Sequence, residues 1–296
     1  MTSATTDSGE RSWGIERRLE FIETRLYWSG RFNRGNLISH FGVSVPQASQ
    51  DIRRYELLAP GNMTYVAKER AFLPTASFKP VVLRPSADRF FAQLRALADH
   101  VIAPHEVLLG EPPPHAIVPT IHRALDTGLV HDLVSAIHGR WCIDVVYQSF
   151  SSPEPRTRRL TPHALGYDGR RWHARAWCHA RKRFGDFALG RMSELSMIAK
   201  SDVDPHADEA WTTEVTFVLT PNPRLSRGMR RAVACDFGMV DNRAEVKVRQ
   251  ALAYYLYKQL NLDRAETAED PGEVQVVLVN TDEIEPLVRK SRTDAR

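Results

Sequence analysis

Hydrophobic positions along the first eighty residues recur with helical spacing. Ile15, Leu19, Ile22 and Leu26 predict a first helix that buries one stripe. Leu37, Ile38 and Phe41 mark a short second helix over Arg34–Phe41, with Gly42 as its stop. Ser44-Val45-Pro46-Gln47 is a capping-box pattern with proline in the first turn, so a third helix starts there. Ala48, Ile52 and Tyr55 share its inward face, and Pro46, Gln47, Gln50, Arg53 and Arg54 share the other. Two strand-like runs, Met63-Thr64-Tyr65-Val66 and Ala71-Phe72-Leu73, flank Ala67-Lys68-Glu69-Arg70 and predict a hairpin with a basic tip. Residues 13–80 therefore read as a winged helix-turn-helix.

The rhythm changes past residue 80. Prolines at 80 and 85 punctuate a boundary, and Phe90, Leu94 and Leu97 predict a helix from Ser86 to Ile102. Pro112-Pro113-Pro114 is a stiff connector. Leu125–Ile137 is a further helix, which makes 81–139 a helical linker. From Trp141 to Phe150 the period is two, with Ile143, Val145 and Tyr147 alternating against Asp144, Val146 and Gln148. Tyr147, Ser149 and Ser151 then fall on one face. Trp172, Ala174, Ala176 and Cys178 form a small-residue core face, and Arg171, His173, Arg175, Trp177 and His179 form its opposite. Asp168-Gly169 before this strand is a hairpin turn. Phe184–Arg191 reads as the next strand, with Phe187, Leu189 and Arg191 on one side. Strands at 214–219, 245–248 and 274–279, with helices at 224–234 and 251–260, build a small α+β unit over 205–296.

Charge sharpens this picture. Between Arg156 and Arg191 ten Arg and Lys face two acids, Asp168 and Asp186, a local +8 in a chain of net +4. An alternating strand of Arg and His with aromatic planes suits a cradle for phosphates and bases, or else is a solvated strand face. On the third helix, Gln and Arg have the geometry to contact adenine and guanine edges in a major groove. Ser44, Gln47, Ser49, Gln50, Arg53 and Arg54 are candidate DNA contacts there, with Lys68 and Arg70 of the wing reaching phosphates. A helical hairpin used for protein contacts is the blander alternative. The polar stretch 1–12 predicts a disordered tail. Three cysteines, odd in number and far apart, fit neither a disulfide framework nor a zinc pattern, and point to a reducing cytoplasm. No run approaches the ~20 apolar residues that span a bilayer.

Thr161-Pro162-His163-Ala164-Leu165, Gly169 to Ala176, and Asp186-Phe187-Ala188-Leu189-Gly190-Arg191-Met192 together resemble the WYL domain, a Sm-like β-barrel of bacterial transcription regulators. This chain has Trp172-His173-Ala174 where the family has its name-giving Trp-Tyr-Leu. The Trp-His-x-Arg-Ala form resembles the BrxR/CapW-type branch found beside phage-defence islands. The resemblance implies an α+β multidomain chain: a winged helix-turn-helix, a WYL ligand-sensing domain at 140–204, and a C-terminal dimerisation extension at 205–296. It further implies a homodimeric repressor of its own or an adjacent defence operon, bound to a double-stranded inverted-repeat operator. An anionic nucleotide or nucleic-acid ligand would be held by Tyr147, Ser149, Arg158, Arg159, His163, Trp172, His173, Arg175 and Arg191.

An enzyme is the competing reading, with His163, His173, His179 and Asp186 as the acid/base or metal set of a nuclease or phosphodiesterase. Against it stand the lack of metal-ligand spacing and of a Gly-rich phosphate loop, and the abundance of arginine, which stays charged and shuttles protons poorly. No catalytic residue, metal or cofactor is expected.

Overall fold

The computed structural model describes residues 4–294 apart from 111, 120, 122 and 151, and it divides into two units, Met1–Thr120 and Ile121–Arg296. Helix α1 (Ala4–Ser29) starts inside the stretch predicted to be a disordered tail, whose residues 1–3 lie outside the described ones. Helix α2 (Arg34–Phe41) begins on an Asn33 cap and ends at Gly42, whose φ of 65° is the left-handed stop that glycine adopts freely. Helix α3 (Val45–Leu58) starts at Ser44, whose hydroxyl accepts from the Gln47 backbone N–H. The reciprocal half of the expected capping box is missing, because the Gln47 side chain turns to Asp51 instead. Strands β1 (Met63–Val66) and β2 (Ala71–Pro74) pair antiparallel as the wing.

Ile22, Leu26, Leu37, Ala48, Ile52 and Tyr55 are buried together under these elements, as their spacing predicts. Glu23, also fully buried, accepts from the backbone N–H groups of Val81, Val82 and Leu83 and from the Tyr55 hydroxyl. One carboxylate thus satisfies three consecutive backbone donors and clamps the segment after the wing onto α1. Helix α4 (Ala87–Ala98) follows from a Ser86 cap and ends before Asp99, short of the predicted Ile102.

The second unit opens with α5 (Thr127–Gly139). Strands β3 (Trp141–Tyr147), β4 (Arg156–Tyr167), β5 (Trp172–Cys178), β6 (Arg183–Ala188) and β7 (Met192–Lys200) make one antiparallel sheet in the order β6-β5-β4-β3-β7. The expected barrel is thus a five-stranded sheet whose end strands are joined through a 3-10 turn at Leu189–Arg191. That turn corrects the predicted strand Phe184–Arg191, and Phe187, Leu189 and Arg191 do not share a strand face. Strand β7 was not anticipated. Ala174, Ala176 and Cys178 pack with Ile143, Val145, Leu160 and Leu133 in the core as alternation put them, whereas Trp172, expected on the same face, is exposed.

The C-terminal part adds α6 (Glu209–Thr212), β8 (Glu214–Pro221), α7 (Arg227–Asp236), β9 (Ala244–Arg249), α8 (Ala253–Gln259), β10 (Val276–Leu278) and α9 (Thr281–Asp294). Its sheet has the order β10-β8-β9, and Val215, Phe217 and Leu219 of the central strand anchor a third core. Among the described residues no helix is long and apolar enough to cross a membrane.

Candidate DNA-reading helix and anion-sensing sheet

Helix α3 presents the residues its sequence promised. Gln50 and Arg53 are exposed, while Ala48, Ile52 and Tyr55 are buried beneath them. The hydroxyl of Ser49 donates to the Val45 carbonyl and accepts from Arg34 at 3.2 Å, so it braces the α2–α3 corner. Arg54 lies 3.4 Å from Asp51 and Gln47 reaches the same carboxylate, so both are held on their helix. Across a groove of about 500 Å³ lined by Arg34, Ser49, Arg53, Tyr65 and Arg70, the wing tip carries Lys68 and Arg70 into solvent.

The sheet of the second unit departs from expectation. Alternation makes the donor face of β5 an anion cradle or a solvated strand face, yet His173 and Arg175 are buried, Arg175 to 1% exposure. The Arg175 guanidinium is bidentate to Asp208, Nε at 2.7 Å and Nη2 at 2.9 Å, and its Nη1 lies 3.2 Å from Asp186. His163, on the β4 side of a bulge between Pro162 and Ala164, meets the same Asp208 at 3.0 Å. Asp208 also caps α6. The Tyr255 hydroxyl of α8 donates to Asp186 at 3.0 Å, and its ring lies 5.2 Å from that of His173. His173 Nε2 bonds Asp168 of the turn at 2.9 Å, which Arg171 also pairs, while His173 Nδ1 is buried with no hydrogen-bond partner.

Two carboxylates around one guanidinium are thus treated differently. Burial alone would raise Asp208, but the hydrogen bonds from Arg175 and His163 outweigh it and bring the carboxyl down to about 2. Asp186 receives the longer, single contact, and its burial wins, raising its pKa. Burial and the adjacent Asp186 charge push the Tyr255 phenol up, so it stays a donor. His163, His173 and Arg175 therefore tie β4 and β5 to the C-terminal elements, and an anion could reach them only by displacing internal carboxylates.

The other expected ligand contacts divide: Arg158, Arg159, Trp172 and Arg191 keep some exposure, whereas Tyr147 and Ser149 are buried. Arg159 forms an exposed two-bond pair with Asp144 and holds that carboxyl below its usual range. Trp172, 47% exposed, leans on Tyr167 with ring centroids 5.1 Å apart. Tyr147, Ser149 and Arg158 line a cleft with Arg181, Arg183 and Phe184 that encloses only about 10 Å³, room for about one water. Beside it, Arg191 lies 3.6 Å from the ring centre of Phe150, which is 89% exposed. Ser151 lies outside the described residues. The sequence reading passed over Arg181, Arg183 and Phe150, although the run Arg181-Lys182-Arg183 and an aromatic beside Ser149 were in plain view.

The histidines of the enzyme reading do not converge. His163 bonds Asp208, His173 bonds Asp168, and His179 bonds the Thr161 hydroxyl at 2.9 Å.

Family models match the chain in three places: the BrxR transcriptional regulator winged helix-turn-helix domain over 14–96, the WYL domain over 128–197, and the BrxR C-terminal dimerization domain over 214–284. The DNA-binding transcriptional repressor CapW of Stenotrophomonas maltophilia is 41% identical over 289 residues, 97% of each chain. CapW of Pseudomonas aeruginosa is 41% identical over 277 residues, 94% of this chain and 93% of that one. CapW of Escherichia coli is 39% identical with the same coverage. The chain belongs to the BrxR/CapW-type WYL-domain transcriptional regulators.

In this BrxR/CapW-type chain, α1 to β2 are the winged helix-turn-helix, β3 to β7 the WYL sheet, and β8 to β10 fall in the dimerization domain. The Arg175 network therefore joins the WYL sheet to the segment leading into the dimerization domain and to its helix α8. With repressors as its relatives, the nuclease or phosphodiesterase alternative is not retained.

Proposed function

We propose that this chain is a DNA-binding transcriptional repressor that works as a homodimer on an inverted-repeat operator, controlling its own or an adjacent phage-defence operon. The observation that carries this reading is α3, with Gln50 and Arg53 exposed on the face opposite its buried stripe and the basic wing tip across the groove. Full-length likeness to CapW repressors and the matched dimerization domain support the repressor and its two-fold symmetry. The response would come from an anionic nucleotide or nucleic-acid ligand at the WYL sheet. Arg158, Arg181 and Arg183 around the small cleft would take phosphate oxygens, and exposed Phe150 over Arg191 would offer a base a stacking plane. His163, His173 and Arg175 would then transmit rather than touch, because His163 and Arg175 bond Asp208 and His173 packs on the Tyr255 ring.

The experiment is an electrophoretic shift on the DNA upstream of the gene, with and without single-stranded oligonucleotides and nucleotides. Sequence-specific shifting that an added anion releases is the expected result. Shifting that is indifferent to sequence overturns the repressor reading, and release that survives loss of Arg158, Arg181 and Arg183 together moves the sensor elsewhere.

A further inference from the structure

We propose that Asp51 is a specificity-determining residue that acts through Gln47: it fixes the amide so that α3 reads an adenine or a cytosine at one position of each half-site. This rests on the reading of α3 as the recognition helix. Asp51 has no solvent exposure although it lies on the helix that reads DNA. Its carboxylate takes the Nε of Arg18 from α1 at 2.6 Å, Nη1 of Arg54 at 3.4 Å, and Nε2 of Gln47 at 3.1 Å to both oxygens.

A carboxylate accepts and does not donate, so only the nitrogen end of the Gln47 amide can face it. The carbonyl Oε1 is left as the outward end, and among the described residues it has no hydrogen-bond partner. A free glutamine can present either end to a base, or both at once as in its bidentate pairing with adenine. This one is turned once, by a buried group pinned from a second helix, which draws Nε2 towards Asp51 and leaves Oε1 as the end turned to a base. Donors in the major groove are adenine N6 and cytosine N4, whereas guanine N7 and O6 and thymine O4 are acceptors that would face Oε1 unpaired. Arg18, remote in sequence from α3, enters base choice by holding the carboxylate that holds the glutamine.

The test is selection of bound sites by the full-length protein from duplex DNA with randomised half-sites, followed by titrations. Gln47→Met, close in length and without hydrogen bonds, should erase a preference on the order of tenfold for adenine or cytosine at a single position per half-site. Gln47→Glu, which can only accept, should keep that preference while binding more weakly overall. Asp51→Asn can donate to Oε1 as well as accept from Nε2, so guanine or thymine should be admitted at the same position, with melting checked alongside.

A wild-type preference for guanine or thymine at the Gln47-dependent position would overturn the proposal. So would loss of the preference in Gln47→Glu, or an unchanged preference in a folded Asp51→Asn. If Gln47→Met alters no position while Gln50→Ala and Arg53→Ala do, the inference fails and the helix reading stands. If none of the three matters, the helix reading itself has failed.

Discussion

Arg53 and Arg175 were both singled out as contacts for an anion, and they end in opposite surroundings. Arg53 stands exposed on α3 with the groove before it, while Arg175 is sealed at 1% exposure between two aspartates. The difference is one of secondary structure. A helix on a domain surface buries one stripe and must leave the rest in water, so Ala48, Ile52 and Tyr55 going in sends Gln50 and Arg53 out. A strand has two faces, and nothing in its own sequence says that only one is covered. In β5 the alanine face meets the core and the arginine face meets Asp208 and the C-terminal elements. The exposure of a cationic residue is thus far easier to read on a helix with one defined core face than on a strand.

The sharpest way to break the comparison is Arg175→Ala. If Arg175 is structural, its loss leaves Asp186 and Asp208 buried without their cation, at a cost of about 3–5 kcal/mol. Urea unfolding should show it directly. An alanine variant as stable as the parent would mean that the pocket is open in solution and that Arg175 belongs with the ligand contacts. Arg53→Ala combined with Gln50→Ala should behave in the opposite way. Each lost base contact is worth about 1–3 kcal/mol of operator affinity, whereas stability should move by no more than about 0.5 kcal/mol, as for other surface changes. Titration of the operator and a melt on the same sample separate the two outcomes, and specific binding undiminished by the pair would end the recognition-helix assignment.

A smaller effect sharpens where an anion would land on the sheet. Arg181 and Arg183 line the cleft, so replacing both with alanine should remove about two phosphate contacts. Each contact contributes roughly 0.7 to the slope of log affinity against log salt for a single strand. The slope for an oligodeoxythymidylate should fall by roughly 1.4, with folding unchanged. An unaltered slope would place the oligonucleotide on another face.

What could be read in advance follows the range of the interactions. The Ser44 cap, the Gly42 stop, the wing pairing and the Asp168-Gly169 turn are settled by neighbours within a few residues, and all are present. The buried stripe of α3 and the alanine face of β5 follow from periodicity alone. By contrast, Arg175 meets Asp208 at a separation of 33 residues, and Asp186 meets Tyr255 at 69, so no local pattern announces them. The same holds for Glu23, whose backbone partners lie 58 to 60 residues on. Edge strand β7 went unread because its apolar residues do not alternate and most of it is exposed, and helix α9 because its apolar positions are few.

The mildest test concerns acid. Asp208 is held at about 2 against an ordinary 3.8, so the fold favours its charged form. A depressed carboxyl stabilises fully above its unfolded value and loses that contribution as pH falls through the folded one, here between 3.8 and about 2. Asp186 has the opposite sign. Burial raises it, so its contribution is present at low pH and fades as pH climbs through the raised value. The stability gap between the parent and Asp208→Asn should therefore stay level above pH 3.8 and close below it. For Asp186→Asn, charge loss relieves a buried carboxylate, so any change should appear on the alkaline side instead. Urea unfolding from about pH 6 to about pH 2.5, followed by tryptophan fluorescence, reads both. An Asp208 gap that does not respond to acid would mean that the guanidinium is not bidentate in solution. The face of β5 would then be as open as its sequence suggested, and Arg175 would rejoin Arg53 as a residue that waits for an anion.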